Sequence, residues 1–100
     1  MSTHPTSAEL ARITVVESQM CHFCEDAQRA LSELAESYPL AVDTLDVRSK
    51  AGQRLMRAHR ASMSPLVLVD GEFFSHGRLP RRKLTKLLEQ RRIATQTRVG

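Results

Sequence analysis

The sequence predicts an α/β domain, a central sheet covered by helices in the order strand, helix, strand, helix, strand, strand, helix. Three observations carry that expectation. Short apolar runs of strand length alternate with stretches of helical period. Leu66-Val67-Leu68-Val69 is continuously apolar, which suits a central strand covered on both faces. Asp70-Gly71 follows it directly, and an acidic-Gly pair between two strand-like runs is a strong hairpin signal.

The elements follow in order along the chain. Residues 1–11 are polar, contain Pro5 and show no sustained period, so they read as a flexible lead-in. Ile13, Val15 and Val16 form a β-branched run that ends at Glu17 and Ser18 and leads into a cysteine pair. Beyond Cys21, the residues Ala27, Ala30, Leu31, Leu34, Ala35 and Tyr38 recur at intervals of three and four, and Glu25, Asp26, Arg29, Glu33 and Glu36 mostly take other directions. This is an amphipathic helix, stopped by Pro39. Leu40, Val42, Leu45 and Val47 read as a second strand, with an irregularity expected near Asp43 and Thr44.

Ser49 offers a cap for a short helix in which Leu55, Met56 and either Ala58 or His59 face inward, while Gly52 weakens its first turn. Ser64-Pro65 punctuates the chain before the central strand, and Glu72-Phe73-Phe74 reads as an edge strand. Pro80 suits the first turn of a last helix carrying Leu84, Leu87 and Leu88. The domain is expected to span 12–92, followed by a flexible tail over 93–100, with no internal repeat and no linker.

Size and charge narrow the function classes. A chain of 100 residues with 41% hydrophobic residues, no Trp and 4% aromatic rings is expected to form one modest core, with no second. The longest apolar stretch falls far short of the roughly 20 residues that span a bilayer, so no membrane association is expected. The net charge of +4 is unevenly placed. Residues 1–46 carry two basic and eight acidic side chains, and residues 47–100 carry thirteen basic and three acidic. The basic half suits a solvated surface, a small anion or an acidic partner. It lacks zinc-finger spacing, an aromatic RNA-binding signature and a glycine-rich phosphate loop, so nucleic acid is not an expected partner.

Two cysteines at positions i and i+3 close too short a loop to brace a fold, so chemistry must explain them. In Ser18-Gln19-Met20-Cys21-His22-Phe23-Cys24-Glu25 the thiols lie between a strand and the start of an amphipathic helix, a context more specific than the spacing alone. At a helix start, unpaired N–H groups and the positive end of the macrodipole favour a Cys21 thiolate, while Cys24 lies one turn on and more shielded. A free cysteine is only about 3% thiolate at pH 7, whereas one lowered to a pKa of roughly 6 is about 90% ionised. His22, if cationic, would lower the Cys21 pKa further; facing solvent it would do little. Glu25 and Asp26 suit the helix start yet oppose a thiolate, and the balance is open at this level. Zinc is the chemical rival, since two thiolates are half of a tetrahedral site. It would need further ligands from His4, His22, His59, His76 or carboxylates, none of which has paired ligand spacing, and no metal site is expected.

Cys21-His22-Phe23-Cys24, Met63-Ser64-Pro65 before the apolar strand, and Asp70-Gly71 before Glu72-Phe73-Phe74 together resemble the thioredoxin superfamily, more closely its small glutaredoxin-like branch. The resemblance covers roughly residues 12–92. It implies a thioredoxin-like fold, with a four-stranded mixed sheet flanked by three helices (βαβαββα). It also implies that Cys21 attacks and Cys24 resolves. Pro65 corresponds to the family's cis-proline opposite the cysteines, and the backbone of Ser64 is then available to pair with an extended thiol substrate. Phe23 and Met63 complete the implied substrate contacts. The pattern departs from glutaredoxins where His22-Phe23 replaces Pro-Tyr, where Gln19 and Met20 precede the pair without a basic residue, and where His76-Gly77-Arg78 replaces a glycine pair and an acidic residue. Those departures fall on glutathione-binding features and leave dithiol exchange intact.

The expected activity is therefore a cytoplasmic, monomeric thiol-disulfide oxidoreductase acting on protein disulfides or on mixed disulfides with small thiols. No bound cofactor is expected. Glutathione or another low-molecular-weight thiol would serve as cosubstrate, or a disulfide reductase as partner. The alternative is a noncatalytic redox or zinc sensor that uses the same fold to engage an acidic partner.

Overall fold

A computed structural model describes residues 10–97. The residues 1–9 and 98–100 of the expected lead-in and tail lie outside it. The elements are β1 (Ala11–Glu17), α1 (His22–Leu34), β2 (Leu40–Asp46), α2 (Lys50–Ala58), β3 (Leu66–Val69), β4 (Glu72–His76) and α3 (Arg81–Thr97). The four strands form one sheet in the order β2-β1-β3-β4. The β1–β2 pair is parallel, β1–β3 and β3–β4 are antiparallel, and the sheet is mixed as expected.

Alternation along the strands sorts side chains to two faces. Ile13, Val15, Val67 and Val69 face the helices α1 and α3, meeting Ala27, Ala30, Leu31, Leu84 and Leu88. Val16, Leu66 and Leu68 face the other way and are covered by Leu55 and Met56 of α2, with Leu45, Val47 and Ala61 at the margin. The single core expected from chain length is therefore two clusters separated by the sheet, because β1 and β3 are apolar on both sides. All four residues of β3 are buried, as a continuously apolar central strand requires.

Local chemistry explains the boundaries. α1 ends at Leu34, earlier than its apolar period suggests, and residues 35–37 form a turn before Pro39. The β1–β2 register runs unbroken from Ala11↔Leu40 to Glu17↔Asp46, so no irregularity occurs at Asp43 and Thr44. β2 lies at a sheet edge, with Val42, Asp43 and Thr44 exposed, and its broken alternation needs no bulge to keep apolar groups inside. The register shift falls instead between Val67 and Leu68 in the β3–β4 pair. Asp70 (φ 52°) and Gly71 (φ 84°) form the two-residue turn with both central residues left-handed, the geometry that an Asp-Gly hairpin supplies.

At the entry to α2, the Ser49 hydroxyl accepts the Gly52 N–H (3.0 Å) and donates to the Asp46 carbonyl (2.7 Å). Leu55 and Met56 face inward; His59 is half-buried and Ala58 is exposed. α3 continues to Thr97, past the boundary expected at 92, because Gln90 to Ala94 contains nothing that breaks a helix. Its first residue, Arg81, pairs with two carboxylates of α1, Asp26 at 2.9 Å and Glu33 at 3.2 Å. No helix among the described residues is long and apolar enough to cross a membrane.

Candidate active site

Sheet, helix and proline loop converge on Cys21. β1 ends at Glu17, the chain turns through Gln19 and Met20, and Met20 takes a left-handed φ of 51°. Cys21 is the N-cap of α1 with extended φ and ψ, and its sulfur accepts the Cys24 N–H at 3.1 Å. A sulfur thus stands where a Ser or Asp oxygen usually satisfies an orphan donor of the first turn. In the reduced pair, the same bond and the helix dipole would favour negative charge on that sulfur.

Cys21 and Cys24 are joined as a disulfide, with Cα atoms 5.1 Å apart. Their environments differ: Cys21 is half-buried, whereas Cys24 is 3% exposed under the helix. The difference follows from helical geometry, since the cap residue sits at the rim and the residue three positions on begins the face that carries Ala27, Ala30 and Leu31.

The Ser64-Pro65 bond is cis, as the resemblance implies for this position. Pro65 is buried, and Ser64 meets the cysteine directly: the Cys21 sulfur is 3.8 Å from the Ser64 carbonyl oxygen and 3.7 Å from its hydroxyl. His22 and Phe23 are exposed on the first turn of α1. Met63 is exposed one residue ahead of Ser64, and its sulfur packs against Gly77, where an added Cβ would meet it at 3.3 Å and where φ is +79°. The loop before β3 and the loop after β4 thus touch through Met63 and Gly77, and the Gly77 N–H donates to the Pro65 carbonyl at 3.0 Å.

Three residues that local sequence reasoning passed over also belong here. Ser18 hydrogen-bonds the Ser64 hydroxyl at 2.8 Å. Glu17 and Gln28 line a groove with Cys21 and Cys24, and the Gln28 amide donates to Glu17 (3.4 Å) and to Thr44 (3.1 Å). Their helical or strand period carries no signal; only their nearness in sequence to the cysteines could have drawn attention to them. His4 lies outside the described residues. His59 and His76 flank the Phe73 ring, at centroid distances of 6.4 and 5.8 Å. Among the described residues no group of three or more His, Cys, Asp or Glu is gathered that could hold a metal ion.

No protein-family model matches the chain, and no curated protein matches its sequence. Among solved structures, it is similar to a mutant thioredoxin from Halobacterium salinarum NRC-1, with a TM-score of 0.58 and 24% identity over 80% of this chain and 73% of that one. At that identity the likeness speaks for the fold alone. The βαβαββα order, the mixed sheet β2-β1-β3-β4 and this neighbour together make the chain a protein of the thioredoxin-like fold, with a cysteine pair at the N-terminus of its first helix.

Proposed function

We propose that the protein is a thiol-disulfide oxidoreductase that reduces protein disulfides or mixed disulfides with small thiols. One observation carries the reading: a half-buried Cys21 sulfur accepts the helix's own N–H at 3.1 Å while its disulfide partner Cys24 is buried. That asymmetry divides the labour between the sulfurs. In the reduced protein the Cys21 thiolate attacks one sulfur of a substrate disulfide, forming a mixed disulfide and expelling the other substrate sulfur as thiolate. Deprotonated Cys24 then attacks the Cys21 sulfur, and the second substrate thiolate leaves. The two electrons gained by the substrate come from the two thiols, which end as the Cys21–Cys24 disulfide. Two equivalents of glutathione or another small thiol, or one dithiol reductase, restore the reduced pair.

The Ser64 backbone and exposed Phe23 and Met63 support roles in holding an extended substrate against the sulfur, with His22 beside it as the tuning residue. A reductant of this kind belongs in the cytoplasm, where thiols are kept reduced, and acts as a monomer. Disulfide-reductase assays with glutathione, another small thiol and a reductase system as alternative donors test the activity. Turnover should be abolished in Cys21→Ala with every donor. Cys24→Ser should accumulate mixed disulfides with protein substrates if the dithiol route operates, and should keep activity on glutathione mixed disulfides if a monothiol route does. Full activity in Cys21→Ala, or a Cys21 thiol with a pKa at or above about 8.5, would overturn the proposal.

A further inference from the structure

We propose that Ser18 is a positioning residue for the Cys21 sulfur, acting through the hydroxyl of Ser64 to raise the fraction of Cys21 held as thiolate. The inference rests on the reading of Cys21 as the attacking thiol, and it begins with the sheet. In the antiparallel β1–β3 pair Val16 lies opposite Leu66 and Val15 opposite Val67. Continuing that register past the strand end brings Ser18 opposite Ser64. The two hydroxyls meet at 2.8 Å, a cross-strand pair set by the most buried part of the fold. Ser64 then stands between Ser18 and the sulfur, with its oxygen 3.7 Å from Cys21 Sγ.

The direction of the Ser18–Ser64 bond decides what the sulfur meets, because each hydroxyl has one proton to donate. If Ser18 donates to Ser64, the Ser64 proton is free to point at the sulfur. If Ser64 donates to Ser18, it is not. A thiolate selects the first arrangement, since a hydrogen bond to a charged acceptor is the stronger one and successive bonds polarise each other. Ser64 thereby supplies a second donor beside the Cys24 N–H, and Ser18 determines that it is available.

The Ser64 carbonyl at 3.8 Å works in the opposite sense, accepting from a protonated thiol, and it persists in every hydroxyl variant. So do the charged groups around the sulfur: Glu17 at the end of β1, Glu25 and Arg29 of α1 in the groove beside it, and the neighbouring His22. Side-chain substitutions at 18 and 64 therefore isolate the hydroxyls.

Alkylation of Cys21 by iodoacetamide as a function of pH tests the relay, in a Cys24→Ser background that leaves one thiol and keeps the residue 24 N–H. Ser64→Ala should raise the midpoint by about 0.5–1 pH unit, a roughly three- to tenfold loss of thiolate below it. Ser18→Ala should raise it by about half as much, and should add nothing once Ser64 is already Ala. Ser64→Thr, which keeps the hydroxyl, should restore the original midpoint. Ser18→Gly repeats the deletion should Ala disturb the turn. A midpoint unmoved by loss of the Ser18 hydroxyl, or moved equally with and without the Ser64 hydroxyl, would overturn the relay. Either result with reductase activity intact would leave the proposed function standing. A relay visible in alkylation alongside full activity of Cys21→Ala would remove the function and keep the relay.

Discussion

Gly52→Ala sets helix propensity directly against packing. Gly52 is the third residue of α2, and in an open helix exchanging Gly for Ala would stabilise by about 1 kcal/mol. Here a Cβ would run into the Asp46 carbonyl oxygen, lie 2.9 Å from that carbonyl's carbon and 3.0 Å from the Ser49 hydroxyl oxygen. The obstacle is backbone, and it is held: the Asp46 carbonyl accepts both the Ser49 N–H at 3.0 Å and the Ser49 hydroxyl at 2.7 Å. Relief requires moving the end of β2 or the cap of α2. Overpacking of this kind costs about 1–3 kcal/mol, and loss of the Ser49 cap about 1 kcal/mol more. After the propensity gain is subtracted, the variant should be about 1–3 kcal/mol less stable. Equilibrium unfolding in urea reads this as a lower midpoint at unchanged slope, and thermal melting as a drop of about 4–8 °C per kcal/mol. A Gly52→Ala protein as stable as the parent, or more so, would refute the reasoning and show that the α2 entry adapts freely.

Two further outcomes follow from charge. Tyr38 is the single tyrosine in a chain without tryptophan, so phenolate absorbance reports it alone. Its hydroxyl donates to Glu89 at 2.8 Å, and that bond, with smaller contributions from desolvation and the carboxylate's charge, raises its pKa above the ordinary 10.0. The folded protein should therefore titrate later than the urea-unfolded chain. The associated stability is present below the unfolded pKa and is lost as pH rises through the folded one; coincident titrations would contradict it. Asp46 moves the other way, held below its ordinary 3.8 chiefly by the Arg48 side chain and also by the Arg48 N–H. Its contribution is present above the unfolded pKa and disappears as pH falls through the folded value. Asp46→Asn should make stability fall less steeply between about pH 5 and pH 3 than it does in the parent, and equal slopes would speak against the pairing.

The sequence made the local features legible. Leu66 to Val69 announced a strand covered on both faces, Asp70-Gly71 announced its turn, and Ser49 announced a cap, because each depends on neighbours within a few positions. Cys21 at a helix start could be placed from the strand before it and the apolar period after it. What escaped depends on distant partners. The Ser18–Ser64 pair spans 46 positions and exists only because β1 and β3 share a register. Gly52 read as a weak helix residue because the Asp46 carbonyl that needs its space lies outside the helix. The Asp43–Thr44 irregularity was expected from broken alternation, yet an edge strand tolerates such a break without a bulge. The cis bond at Pro65 was implied by resemblance; no local pattern distinguishes it from any proline at a strand start.

Arg81 alters the electrostatics at the other end of the molecule's chemistry. Two acidic residues follow the cysteine pair on α1, and both would work against a negatively charged sulfur. The guanidinium at the start of α3 takes one of them, Asp26, into an ion pair at 2.9 Å and reaches Glu33 at 3.2 Å. The N-terminal half of α1 thus carries less uncompensated negative charge than its composition shows, with Glu25 of the first turn exposed and Asp26 just beyond it offset from outside the helix. Because Arg81 is partly exposed, dissolved salt weakens this compensation. The last helix, remote in sequence from α1, thereby helps to set the charge that α1 presents, and ionic strength modulates that charge.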